Sequence, residues 1–157
     1  MIKNKSDLPA ALMLEDGTFF LGISCGALGE ACGEICFNTS LVGYVESISD
    51  PSYAGQIVNM TYPQIGNYGV AHADMQADHL HLKGVVVRDM CYTPSNFRSD
   101  ESLPELLTRQ GVVAIENIDF TDAFTNAVEE KQVALQTKLR VETEQAQQVS
   151  VEKATAE

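Results

Sequence analysis

Two short apolar runs with one well-punctuated helix between them restrict this chain more than any other feature. The first run is Leu82-Lys83-Gly84-Val85-Val86-Val87-Arg88-Asp89 and the second is Val112-Val113-Ala114-Ile115. A strand wetted on one side alternates apolar and polar residues, whereas a near-continuous apolar run implies burial on both faces. The segment Ser99 to Gly111 separates them and carries the signals of a helix. Ser or Asp can cap it, Pro104 falls in the first turn, the acids lie early and Gly111 stops it. A helix between two buried strands predicts a crossover and a parallel pair, because parallel neighbours cannot be joined by a tight turn.

The start of the chain predicts the opposite pairing. Ala10 to Leu14 and Phe19 to Ile23 flank Glu15-Asp16-Gly17-Thr18, the pattern of an antiparallel hairpin. Ala31 to Asn38 and Gly55 to Thr61 read as further strands, and Gly66 to Gly69 as a turn. Tyr44 to Pro51 reads as a short helix or a loop, with Pro51 biasing Asp50 away from helix. Parallel and antiparallel pairs together predict a mixed, β-rich α/β domain. From Phe120 onward the composition changes. Between Asp122 and Glu157 there is no Gly, Pro or Tyr, and Phe124 is the last aromatic. Val128, Leu135 and Leu139 form only a thin helical stripe, so this segment is expected to be a weakly packed helix or disordered. The expected division is an extension at 1–9, a compact domain at 10–120 and a polar tail at 121–157.

Charge narrows the partners. The net charge is −12, and the first 128 residues hold 16 acids against 6 bases, which is −10. Such a surface repels phosphate backbones, so no nucleic-acid partner is expected. No run approaches the ~20 apolar residues that span a bilayer. Met1 to Asp7 lacks the apolar centre of a signal peptide, so a cytoplasmic protein without a membrane partner is expected. Cys25, Cys32, Cys36 and Cys91 contain no C-x-x-C pair and read as small buried hydrophobes. His79 and His81 form an H-x-H pair without a compelling third ligand, so they read as solvated histidines. Neither a metal nor a cofactor is expected.

The densest motif is Phe37-Asn38-Thr39-Ser40-Leu41-Val42-Gly43-Tyr44-Val45-Glu46, followed by Asp50-Pro51-Ser52-Tyr53 and by Thr61-Tyr62-Pro63-Gln64-Ile65-Gly66-Asn67-Tyr68-Gly69. With Leu14-Glu15-Asp16-Gly17-Thr18, Gly84 to Asp89 and Ser95-Asn96-Phe97-Arg98, it resembles the amino-terminal domain of the small, glutamine amidotransferase subunit of carbamoyl-phosphate synthase. The resemblance runs from about Ala10 to Asp119. It implies a swivelling β/β/α three-layer domain that docks on the large synthetase subunit and abuts a glutaminase domain. There a Cys nucleophile with a His–Glu pair hydrolyses glutamine, and the ammonia serves carbamoyl phosphate synthesis for arginine and pyrimidines.

By resemblance, Ser40 reaches across the domain boundary to glutamine. From the residues alone, Asn38, Thr39 and Ser40 equally suit the capping of a turn or helix start. Tyr53 and Tyr62 are candidates for a partner surface, since loop aromatics favour interfaces. Asn96 and Arg98 either anchor a loop or meet the large subunit.

Two departures set limits. No Cys stands in a G-x-C-x-G elbow and no His begins an H-P-E, so no catalytic residue is assigned. A second hypothesis is that a separate glutaminase chain completes the site in trans. The resemblance also predicts an arginine-bearing helix after Asp119, where this chain places Asp122, Asn126 and Glu129. The alternative to a working small-subunit domain is a stand-alone divergent paralogue, a non-catalytic binding or regulatory module.

Overall fold

The computed structural model describes residues 8–119. The start of the extension and the tail, including Asp122, Asn126 and Glu129, lie outside the described residues.

The first two strands, β1 (Pro9–Met13) and β2 (Phe19–Ser24), form the expected antiparallel hairpin, with Met13 opposite Phe19. Its turn closes where Asp16 Oδ1 accepts the Thr18 amide at 2.9 Å and Leu14 N–H donates to Thr18 O at 2.7 Å. An Asp side chain held two residues along its own backbone is what specifies such a turn.

The following elements are β3 (Ile35–Asn38), α1 (Tyr44–Ser49), β4 (Ile57–Met60) and β5 (Gln64–Ile65). After them come β6 (Gly84–Val86), β7 (Asp89–Met90), α2 (Leu103–Arg109) and β8 (Val113–Asp119). Six strands make one sheet in the order β1-β2-β8-β6-β4-β3, and β5 pairs with β7 in a small second sheet. The β3–β4, β4–β6 and β6–β8 pairs are parallel, while β1–β2 and β2–β8 are antiparallel. The sheet is therefore mixed and the domain α/β in character. The expected crossover is β6, α2, β8, with Gly84 opposite Val113.

Three expected strands are shorter in the structure. Gly55 to Thr61 is a strand only over Ile57–Met60. β3 begins at Ile35 rather than Ala31, because its partner β4 begins at Ile57 and a ladder extends no further than its neighbour. The Leu82–Asp89 run is paired in the main sheet only over Gly84–Val86. Beyond it, Val87 N–H still donates to Ile115 O at 3.0 Å, and the chain then leaves to pair Asp89 with Gln64 in the second sheet. The burial expected of this run holds, with Gly84 to Val87 all buried.

Helix α2 is locally specified. Ser102 and Glu105 form a reciprocal capping box, with Ser102 N–H donating to Glu105 Oε2 at 2.9 Å. Pro104 lies in the first turn, where its missing N–H has no intrahelical role. Leu103, Leu106 and Leu107 are fully buried and join Val45, Ile48, Val58, Ile65 and Val85 in one core.

The cysteine reading holds for Cys25 alone. It is buried, and burial together with the nearby Glu116 carboxylate pushes its thiol well above the ordinary range. Cys32 is exposed because residues 31–34 run outside the strand, and Cys36 and Cys91 are half-buried.

Candidate functional site

The connection from β3 to α1 is an exposed loop on a fixed base. Asn38, at the end of β3, is a buried polar residue, and each of its groups is used. Its Oδ1 accepts the Ser40 amide at 2.9 Å, its Nδ2 donates to Tyr53 Oη at 3.2 Å, and its carbonyl accepts the Thr61 amide at 3.0 Å. A buried amide satisfied in this way holds one orientation, since any other strands polar atoms in the interior.

The far end of the loop is fixed by a tyrosine pair. Tyr44 and Tyr68 stack with ring centroids 4.1 Å apart. Tyr68 Oη accepts the amides of Gly43 at 2.8 Å and Tyr44 at 3.2 Å, taking the place of a side-chain cap on α1. Gly43 sits at φ 81°, a conformation costly for a residue with a Cβ. The buried Tyr44 hydroxyl donates to Gly69 O at 2.7 Å, and burial raises its pKa first, with the neighbouring Tyr68 adding to the shift.

Between these anchors Ser40, Leu41 and Val42 face solvent, with Leu41 at 72% and Val42 at 74% exposure. The capping role open to Ser40 falls to Asn38 instead: Ser40 contributes its amide to that turn, and its hydroxyl has no hydrogen-bond partner among the described residues. It is a free donor and acceptor on a pre-set loop.

The other candidates divide. Tyr53 is half-buried, packs on the core and receives Asn38. Tyr62 lies on the surface at 37% exposure. Asn96 Nδ2 donates to Tyr68 O at 3.3 Å, and its Oδ1 accepts the Arg98 amide at 3.1 Å. Arg98 pairs with Asp74 at 2.9 Å. Asn96 and Arg98 thus brace their own loop.

The turn-capping expectation is met by Asn38. Sequence reasoning missed two features. Tyr68 carries no pattern that separates it from other loop residues. Glu101 is the second. It accepts Arg109 Nη2 at 2.5 Å and lies 2.7 Å from His72 Nε2, while its backbone bridges to Val70. Burial alone would raise the Glu101 carboxyl, but hydrogen bonds from Arg109 and His72 outweigh it and hold the pKa below the usual value. A depressed carboxylate stabilises the fold above its unfolded pKa, about 4.3, and that stability is lost as pH falls through the lower folded value. Glu101→Gln is therefore expected to lower the urea midpoint at pH 6, with the gap to wild type at least about halved at pH 3. An equal gap at both pH values would remove the charge from this account.

Among the described residues no group of three His, Cys, Asp or Glu side chains could hold a metal ion, and no helix is long and apolar enough to cross a membrane. The Ser40 loop presents an exposed hydroxyl-bearing residue and two exposed aliphatic side chains on a hydrogen-bonded backbone.

Comparison with known proteins identifies the family. Residues 12–137 match the family described as carbamoyl-phosphate synthase small chain, CPSase domain. The carbamoyl phosphate synthase small chain of Thioalkalivibrio sulfidiphilus is 54% identical over 123 residues, covering 78% of this chain and 32% of the relative. Those of Archaeoglobus fulgidus and Escherichia coli are 51% identical over 112 residues and 49% over 122, covering 71% and 78% of this chain and 31% and 32% of the relatives. The chain spans about a third of the length of the curated relatives it matches. With most of its length matched, it belongs to the carbamoyl-phosphate synthase small chain family, as a bearer of that family's CPSase domain.

Proposed function

We propose that this chain acts as the amino-terminal domain of a cytoplasmic, glutamine-dependent carbamoyl-phosphate synthase. It docks on the large chain and flanks a glutaminase site, with the swivelling three-layer form of that domain. The observation that carries this reading is the family match over residues 12–137. The exposed, unpaired Ser40 hydroxyl on its braced loop supports it. In this role Ser40 meets glutamine bound in a glutaminase domain, in the same longer chain or in trans. Tyr62 meets a partner surface directly, while Tyr53, Asn96 and Arg98 hold the presenting loops. The contribution is to arginine and pyrimidine synthesis.

Calorimetry of the purified chain against the Escherichia coli large chain tests the docking, with micromolar or tighter binding expected at low salt. No detectable heat at any salt would defeat it. In a reconstituted complex that includes a glutaminase, Ser40→Ala is expected to raise the KM for glutamine, and an unchanged KM would remove Ser40 from the site.

A further inference from the structure

Phe97 is 97% exposed, the highest value for any large apolar residue among those described. Scattered exposed apolar residues are ordinary on protein surfaces. Phe97 differs in how firmly the chain around it is held. Ser95 N–H donates to Asn67 O at 3.0 Å, and Asn96 donates from its side chain to Tyr68 O. Arg98 N–H returns to Asn96 Oδ1, and its guanidinium pairs with Asp74. Ser99 N–H donates to Asn96 O at 3.2 Å, and Asp100 N–H to Val70 O at 2.8 Å. Every residue from 95 to 100 except Phe97 is tied back to the domain. The fold fixes the backbone on both sides of the ring and leaves the ring in water.

We infer that Phe97 is the aromatic anchor by which this domain inserts into an apolar, basic-rimmed pocket on the large chain. The inference rests on the docking reading above and adds the residue that dominates it. A rigidly presented aromatic loses little further freedom on binding, which is what makes such residues dominate interfaces. One phenylalanine buries about 150–250 Å², against about 800 Å² per partner in a standard interface. Phe97 is thus one part of a larger contact.

Its surroundings point to the partner's chemistry. Residues 8–119 hold 14 acids and 4 bases, a net −10. Two of the four bases, Arg98 and Arg109, are already paired with Asp74 and Glu101. Asp100 follows Phe97 by three residues. A partner rim of Lys and Arg complements this surface, and an acidic rim would be repelled. The loop is also continuous with the Ser40 loop: the carbonyl of Tyr68 holds Asn96 while its hydroxyl holds Gly43.

The test is calorimetry of wild type, Phe97→Ala and Phe97→Trp against the Escherichia coli large chain at low and moderate salt, with melting curves for each variant. Phe97→Ala is expected to bind at least about thirtyfold more weakly, with its Tm within about 1 °C of wild type because the ring packs on nothing. Phe97→Trp is expected to stay within about threefold. Wild-type affinity is expected to fall as salt rises. If wild type binds and Phe97→Ala binds equally well, the anchor assignment is overturned while docking stands. A Phe97→Ala chain that melts well below wild type would overturn it too, since the ring would then be packing internally. Absence of wild-type binding would overturn docking and anchor together.

Discussion

Gly69→Ala is expected to destabilise the domain by about 2–5 kcal/mol, from two separate sources. Gly69 is buried and sits at φ 69°, where a residue with a Cβ costs about 1–2 kcal/mol. A Cβ at this position would also lie 2.7 Å from Ser99 Cβ and 2.9 Å from Pro94 Cβ. These are side chains of the loop that presents Phe97, so the added carbon pushes on a packed surface and not on solvent. Overpacking of this kind typically costs about 1–3 kcal/mol. The Gly69 carbonyl also accepts the buried Tyr44 hydroxyl, so a shift here leaves that donor short of its partner. Urea denaturation followed by circular dichroism measures the loss. The control is Gly17→Ala, also at positive φ but with open space at the Cβ position, which is expected to show the backbone cost alone. Equal losses at the two sites would refute the packing part of the argument.

The same contrast explains what could be read from the sequence. The hairpin, the crossover and helix α2 are specified by neighbours in sequence: an Asp that closes its own turn, a Ser–Glu capping box, a run of valines. Such signals survive without knowledge of the fold. Strand ends did not, because they depend on where the partner strand stops. Glu34 O accepts the Ile57 amide at 2.8 Å, but the ladder with β4 starts at Ile35, and Ala31 to Gly33 stay outside it. The bulge in β8 was hidden for a similar reason. Leu21 lies opposite Asp119 but Ile23 opposite Glu116, so one extra residue is taken up there, with Asn117 at φ 52°. Only the pairing with β2 makes that necessary.

At the candidate site, turn capping by the Asn38–Ser40 run was legible in its residue types, but its division of labour was not. Asn38 and Ser40 are both small polar residues in a loop. What separates them is that Asn38 is buried with its side chain bonded while Ser40 is exposed. Phe97 was hidden more completely, since a lone aromatic in a loop sequence gives no sign of whether it packs or protrudes.

Leu106→Ala is expected to cost about 2–5 kcal/mol, enough to remove a large part of the stability of a domain this size. Leu106 has no exposed surface, and neither do its helix neighbours Leu103 and Leu107. Three leucines in five residues of a seven-residue helix place the whole apolar contact of α2 on one short stretch. A helix this short has little stability of its own and persists because its buried face is packed. Truncating the middle leucine therefore leaves a cavity and also loosens the crossover that sets β6 beside β8. The capping box cannot compensate, since a cap contributes only about 0.5–2 kcal/mol. Leu41→Ala, at a side chain 72% exposed, is expected to stay within about 0.5 kcal/mol in the isolated chain. Chemical denaturation of the two variants side by side gives the comparison. A Leu106→Ala loss below about 1 kcal/mol would mean that α2 is not a structural member of the core. In that case the Val70–Glu101 bridge and the Glu101–Arg109 ion pair, not the leucines, would have to hold the crossover in place.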